Sequence, residues 1–329
     1  MGKITVTLAC GDYDRVAPLK DGRIKPEGVN LNFIAMGPEE LFFRMARHKE
    51  FEVSEMSLAS YITGRAQGRD DLIAIPVFPS RMFRHSSIFV HANAGIQKPE
   101  DLKGCRVGVG EYQMTAIVWV KGILLDDHGV AASDIHWLTG GQEQPGREER
   151  VPLKLPPEIS LDHIPEDKTL SSMLETGELD AVIAARVPSP ILHGSDQVKR
   201  LFKHPIEVEK DYFKRTGIFP IMHTVVVRKQ LLEIHPWLAV SLYKAFDQAQ
   251  KLSREGIYAP AVPFQLAWLQ TYWEQEQELL GENPWEAGSV RNRETVETLC
   301  RYLKEQGMID QPPPFESLFA SSTLQLAKI

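Results

Sequence analysis

Leu72-Ile73-Ala74-Ile75-Pro76-Val77 is an almost unbroken apolar run of strand length. A half-buried strand alternates apolar and polar residues, whereas a strand covered by helices on both faces does not. The run therefore predicts a strand of a layered α/β domain that is buried on both faces. Its upstream neighbours agree. Ile4, Val6 and Leu8 alternate with other residues in a first strand, and Asn30 to Ala35 reads as a second. Pro38 opens a helix whose Glu39 and Glu40 suit the positive end of its dipole, with Leu41, Phe42 and Met45 on one stripe. Phe51 to Val53 reads as a short strand, after which Ser54 is an N-cap for a helix carrying Leu58, Tyr61 and Ile62. Such alternation argues for α/β layers around a mostly parallel sheet.

The pattern then restarts. Ser87 to His91, Cys105 to Val109, Ile135 to Leu138 and Leu179 to Ala185 read as strands. Ile117, Val120, Ile123 and Leu124 line a helix for which Gly129 is a left-handed stop. Between Thr139 and Asp167 the composition shifts to Gly, Pro, Gln and Glu. A structureless loop of that length is uncommon inside a domain, so a short hairpin or flap is expected there. Thr224 to Val227 is the last expected strand. From Pro236 the chain reads as mainly helical, with Trp237, Leu242, Phe246, Trp268, Leu269 and Trp273 as core residues. The economical arrangement returns this tail to the first unit. It predicts one lobe from residues 1–85 plus 225–329 and a second from 86–224. A double-crossing hinge joins them, with the ligand in the cleft between lobes.

Composition narrows the function. The chain has 329 residues, 43% hydrophobic and 25% charged, with 37 Lys plus Arg against 44 Asp plus Glu. A formal charge of −7 without a basic arm argues against nucleic-acid or membrane-surface binding, so attraction for an anion must be local. Cys10, Cys105 and Cys300 are too scattered for a disulfide framework or a thiolate zinc site. The ten histidines show no HxxxH or HxH spacing, and no Gly-x-Ser-x-Gly elbow occurs. No apolar run spans a membrane, and the alternating start reads as a strand rather than a secretory signal, so a cytoplasmic location is expected.

Several segments carry a resemblance: Cys10-Gly11-Asp12-Tyr13-Asp14-Arg15, Phe51-Glu52-Val53-Ser54-Glu55-Met56-Ser57, Pro76-Val77-Phe78-Pro79-Ser80-Arg81-Met82-Phe83-Arg84-His85-Ser86, Val107-Gly108-Val109-Gly110-Glu111-Tyr112, Phe219-Pro220-Ile221-Met222-His223-Thr224 and Asn283-Pro284-Trp285. In this order and over nearly the whole chain, they resemble the 4,5-dihydroxyphthalate decarboxylase family. The resemblance implies a two-lobed type II periplasmic-binding-protein-like fold, with two mixed sheets and flanking helices. It also implies non-oxidative loss of one carboxylate from 4,5-dihydroxyphthalate to leave protocatechuate. The alternative on the same fold is a solute-binding protein or ligand sensor for a small aromatic or pyrimidine-like anion.

The implied reaction sets requirements: a cationic clamp for carboxylates, an acceptor at the phenols and an acid near the ring carbon that loses carbon dioxide. It needs no electron-sink cofactor, because the hydroxylated ring is the sink. No metal site is indicated, and a small aromatic carboxylate is the expected partner. Pro312-Pro313-Pro314-Phe315 and Trp268 to Trp273 would suit either a homo-oligomer contact or the core.

The candidates follow. Arg81, Arg84 and His85 sit at the first crossing, and an extended chain would point Arg81 and His85 one way and Arg84 the other. Their plainer reading is a solvated basic hinge. Ser54 and Glu55 have a plainer reading as a cap and a first-turn glutamate, but Glu55 could also accept a phenol proton or orient a histidine. Gln113 and Thr115 sit at a strand–glycine–helix junction able to hold an anion, although it lacks a dinucleotide or phosphate-loop fingerprint. Arg186 emerges at a strand's carboxyl end, as a functional cation or equally as a lobe-to-lobe salt bridge, and Arg15, beside Tyr13 and Asp14, is a second carboxylate-clamp candidate whose plainer reading is a surface turn. His223 lies at the second crossing. A lone histidine beside an apolar strand is usually a satisfied core residue, but the resemblance makes His223 or His85 the proton donor.

Overall fold

The computed structural model describes residues 2–147, 149, 152–259 and 265–326. The chain divides into two compact units. Met1–Arg81, Ile221–Glu297 and Pro313–Ile329 form the first, and Met82–Pro220 with Thr298–Pro312 the second. Residues 298–312 therefore gather with the second unit, although the sequence placed the whole tail in the first lobe.

In chain order, the first sheet takes β1 (Ile4–Cys10), β2 (Val29–Ala35), β3 (Val53–Ser57), β4 (Leu72–Arg81) and β11 (Ile221–Arg228). They lie in the order β2-β1-β3-β11-β4. β1 runs parallel to β2 and β3, while β11 is antiparallel to both β3 and β4. Val6, Leu8, Val53, Ile75, Val225 and Val227 form one core with Leu238, Leu242 and Phe246 of the helix Leu238–Glu255. β4 continues past the expected Val77 through Pro76 and Pro79 to Arg81. Two prolines without donors are tolerated because β4 lies at the sheet's edge.

Ser54 is not an N-cap. Pairing with β11 keeps the chain extended through Ser57, which instead caps the helix Leu58–Ala66 by accepting from Ser60 N–H at 3.3 Å. Ser54 and Glu55 are consequently interior strand residues, both fully buried.

The second sheet takes β5 (Ile88–His91), β6 (Arg106–Val109), β7 (His136–Thr139), β8 (Leu161–His163), β9 (Ala181–Ile183) and β10 (Val198–Arg200). Their order is β10-β5-β9-β6-β7-β8. Among its described residues the Gly- and Pro-rich stretch shows no hairpin; it delivers β8, which adds to β7 in parallel. The helix Thr115–His128 is buried from Thr115 to Leu124 and ends at Gly129, whose φ of +60° is the expected left-handed stop. Beyond β4 the chain does not stay extended: His85–Ser87 is a 3-10 turn, so the expected alternation of Arg81, Arg84 and His85 does not hold. Of the expected core tryptophans, Trp273 is buried, but Trp237 and Trp268 are 40% and 68% exposed. Among the described residues no helix is long and apolar enough to cross a membrane.

Candidate active site

Glu55 is the centre of a polar cluster in the first unit, and the sheet register explains why. Leu8 pairs with Val53 and Ala9 with Ser54, which brings the end of β1 alongside Glu55. On the other side His223 pairs with Ser57 and Val225 with Glu55, so Glu55 and His223 are diagonal neighbours on one face. His223 Nδ1 lies 2.5 Å from Glu55 Oε1, which also accepts the Tyr13 hydroxyl at 2.9 Å. Oε2 accepts Gly11 N–H at 2.8 Å and the Cys10 thiol at 3.4 Å. Four donors thus meet the two oxygens, which leaves the carboxylate no capacity for another ligand. Burial alone would push Glu55 up, but the charge and hydrogen bond of His223, with the Gly11 and Tyr13 donors, hold it below the usual carboxylate range.

The remaining geometry fixes His223 by one nitrogen and frees the other. A carboxylate facing Nδ1 places a proton there, and Nε2 has no protein partner among the described residues. The Phe42 ring meets the imidazole edge-on, with centroids 4.7 Å apart, and the His223 side chain keeps 16% exposure. Gly11 has a steric purpose here: a Cβ would lie 2.5 Å from the Tyr13 ring, so a side chain would displace the phenol from Glu55. Burial pushes the Tyr13 hydroxyl well above its ordinary value, keeping it a donor. On the same loop, Arg15 Nε donates to the Pro79 carbonyl at 2.5 Å, and the guanidinium lies between the Tyr13 and Trp285 rings.

Two other candidates in this unit are committed internally. Arg81 is buried, donating from Nη2 to Asn292 Oδ1 at 2.5 Å and to the Glu286 carbonyl at 3.2 Å; burial lowers it to about 9. The Ser54 hydroxyl donates to the Glu55 carbonyl at 2.7 Å.

The other five belong to the second unit. Arg84 is buried, with Nη1 3.5 Å from the Ala185 carbonyl. His85 is 3% exposed, packed against the Phe202 and Tyr212 rings with Glu209 3.9 Å away. Burial lowers it to about 4, with opposing influences from Asp127, which raises it, and from His128 and Arg215, which lower it. His85 is therefore neutral in the fold near pH 7, while the unfolded chain protonates it near 6.5. The stability this contributes is complete above pH 6.5 and is lost as pH falls toward 4, by about 3 kcal/mol. Relative to His85→Phe, the wild type should lose unfolding free energy across that window, as read from urea melts at stepped pH. Parallel curves would contradict it.

Gln113 and Thr115 are buried at the expected junction, but its donors face the chain's own carboxylate. Gln113 Nε2 donates to Glu149 Oε2 at 2.9 Å, and Tyr112 N–H donates to Oε1. Nearby, Arg147 pairs with Glu111 at 2.7 Å. Arg186 is exposed beyond β9. No three His, Cys, Asp or Glu side chains among the described residues are grouped to hold a metal ion.

No family model matches the chain. A curated protein of Comamonas testosteroni named 4,5-dihydroxyphthalate decarboxylase is 41% identical over 330 residues, covering 100% of both chains. The chain belongs to the 4,5-dihydroxyphthalate decarboxylase family. A Pseudomonas putida protein of the same name is 46% identical over 214 residues, 65% of this chain and 83% of that relative. Among solved structures, a periplasmic sulfonate-binding protein of Methylobacillus flagellatus aligns with a TM-score of 0.55 at 12% identity, covering 97% of this chain and 92% of its own. A protein of Archaeoglobus fulgidus gives 0.54 at 14% identity, covering 93% and 98%. At such identities these structures speak only to the fold, which is periplasmic-binding-protein-like.

Within this decarboxylase-family chain, the sequence reading passed over Cys10 and Gly11 as donors to Glu55 and gave Tyr13 and Trp285 no role. The segment Cys10-Gly11-Asp12-Tyr13 does hold a signal: a glycine directly after a strand, two residues before a tyrosine, marks a close approach of backbone and ring.

Proposed function

We propose that the protein removes one carboxylate from 4,5-dihydroxyphthalate, giving protocatechuate and carbon dioxide, with His223 as the proton donor at the ring. The reading rests on the full-length 41% identity to a relative of that name. The observation that carries the chemistry is the buried Glu55–His223 pair, with Nε2 left free. The hydroxyl para to the departing carboxylate pushes electron density to the ring carbon bearing it. An imidazolium Nε2–H gives its proton to that carbon, creating a C–H bond and a protonated-dienone cation in which the para hydroxyl keeps its proton. The carbon–carboxylate bond then breaks, its electron pair restores the aromatic ring, and carbon dioxide departs. Solvent reprotonates the imidazole. Glu55 keeps Nδ1–H oriented, which makes it a positioning residue. Arg15, linked to this pair through Tyr13, is the carboxylate clamp of this reading. A cytoplasmic setting belongs to the same reading, and free Cys10, Cys105 and Cys300 suit a reducing compartment.

The test is carbon dioxide release across a panel of hydroxybenzene mono- and dicarboxylates. 4,5-Dihydroxyphthalate should turn over and phthalate, lacking the para hydroxyl, should not. Binding without turnover, also with added divalent metal, would leave a solute-binding protein instead.

A further inference from the structure

Arg15 has an unusual environment for a loop residue. Its guanidinium carbon lies 4.1 Å from the Tyr13 ring centroid and 4.3 Å from that of Trp285. Nε is tied to the Pro79 carbonyl at 2.5 Å and Nη1 to Asp14 at 3.1 Å. Nη2 has no hydrogen-bond acceptor among the described residues, and the side chain is 20% exposed. The group is thus fixed by two rings and a backbone carbonyl, with one end left to donate. A surface arginine samples many rotamers and spends that freedom on binding, whereas one already held in place does not. The same Tyr13 that stacks on Arg15 donates its hydroxyl to Glu55, so one aromatic side chain links the cation to the Glu55–His223 pair. Trp285 comes from the distant Asn283-Pro284-Trp285 segment, and it also borders a small cavity with Arg15, Phe78 and Phe246.

We propose that Trp285, with Tyr13, holds Arg15 as a preformed carboxylate receptor, and that Trp285 is the positioning residue that sets the protein's affinity for aromatic carboxylates. The inference rests on the decarboxylase reading for its substrate. The stack also explains why lysine could not replace Arg15: an ammonium has neither the planar face nor the fork that two-point carboxylate recognition uses.

The experiment compares wild type, Trp285→Phe, Trp285→Ala and Arg15→Lys in two assays: steady-state turnover of 4,5-dihydroxyphthalate, and calorimetric binding of phthalate, which lacks the para hydroxyl. Trp285→Ala should raise KM and the phthalate Kd about tenfold with kcat within about twofold, and Trp285→Phe should restore most of the loss. Arg15→Lys should weaken phthalate at least as much. A phthalate Kd within twofold of wild type for Trp285→Ala would overturn the proposal whatever Arg15→Lys does, as would a fall confined to kcat. If Trp285→Ala does not fold, Arg15→Lys and Trp285→Phe carry the test alone. Should the wild type bind phthalate yet turn nothing over, the reaction assignment fails while the receptor is still judged by the same Kd series.

Discussion

His223→Ala should lower kcat for 4,5-dihydroxyphthalate by about 10²- to 10⁴-fold, the usual worth of a positioned general acid, while KM changes little. The split follows from the geometry. The imidazole is held by Glu55 through Nδ1 and by the Phe42 edge, and its free Nε2 serves the ring carbon rather than the carboxylate clamp. His223→Ala leaves the buried Glu55 carboxylate without its charged partner, so the melting temperature should fall by several degrees, and kcat is compared at a temperature where the variant is shown to be folded. Added imidazole should restore part of the rate in His223→Ala, because the cavity and Glu55 remain. His223→Gln keeps the size but has no titrating nitrogen, and should be as slow and not rescued. A variant retaining more than a tenth of wild-type kcat would falsify the assignment of the acid. His85→Ala is the internal contrast. A histidine that burial lowers to about 4 is a poor donor near neutrality, and its removal should cost stability more than rate.

The fold was legible because it is written in periodicity. Leu72 to Val77 and Leu179 to Ala185 are apolar runs, and the long helix after Gly110 ends where Gly129 adopts positive φ. What escaped was short or polar. β10 is only Val198-Lys199-Arg200, and β8 lies in a stretch whose prolines argue for turns. Such segments are recruited by neighbouring strands rather than by their own propensity.

At the site, residue types were legible and contacts were not. Glu55 stood out at the end of a short strand and His223 through the family resemblance, yet their pairing depends on β11 inserting between β3 and β4, a register no local pattern reveals. The shift of the helix start from Ser54 to Ser57 mattered most, since a first-turn glutamate would face solvent while a strand glutamate is buried. Gln113 was read as a donor for an external anion. Glu149 meets it from 36 positions along the chain, a partner sequence spacing does not announce.

Glu55→Gln should be the most damaging single-atom change in the first unit, affecting rate and stability together. An amide exchanges one acceptor oxygen for a donor nitrogen. Gly11 N–H with the Cys10 thiol approaches one oxygen, and the Tyr13 hydroxyl with His223 Nδ1 the other, so either amide orientation sets N–H against donors in a dry site. Breaking a buried, hydrogen-bonded charge pair costs about 3–5 kcal/mol, a loss readable as a lowered urea midpoint with unchanged slope. The pH dependence gives the sign. Glu55 is held below the carboxyl value of 4.5 it has when unfolded, so its contribution is complete above that value and disappears as pH falls through the folded one. The stability gap between wild type and Glu55→Gln should therefore be widest near neutrality and narrow in acid. The rate should respond through His223: without the carboxylate nothing fixes Nδ1–H, so Nε2 loses its aim at the ring carbon and kcat should fall while KM changes little. Glu55→Asp, which keeps the charge but shortens the reach, should recover more of the stability than of the rate. An unchanged kcat in folded Glu55→Gln would mean that the carboxylate holds the strands together but does not orient the histidine.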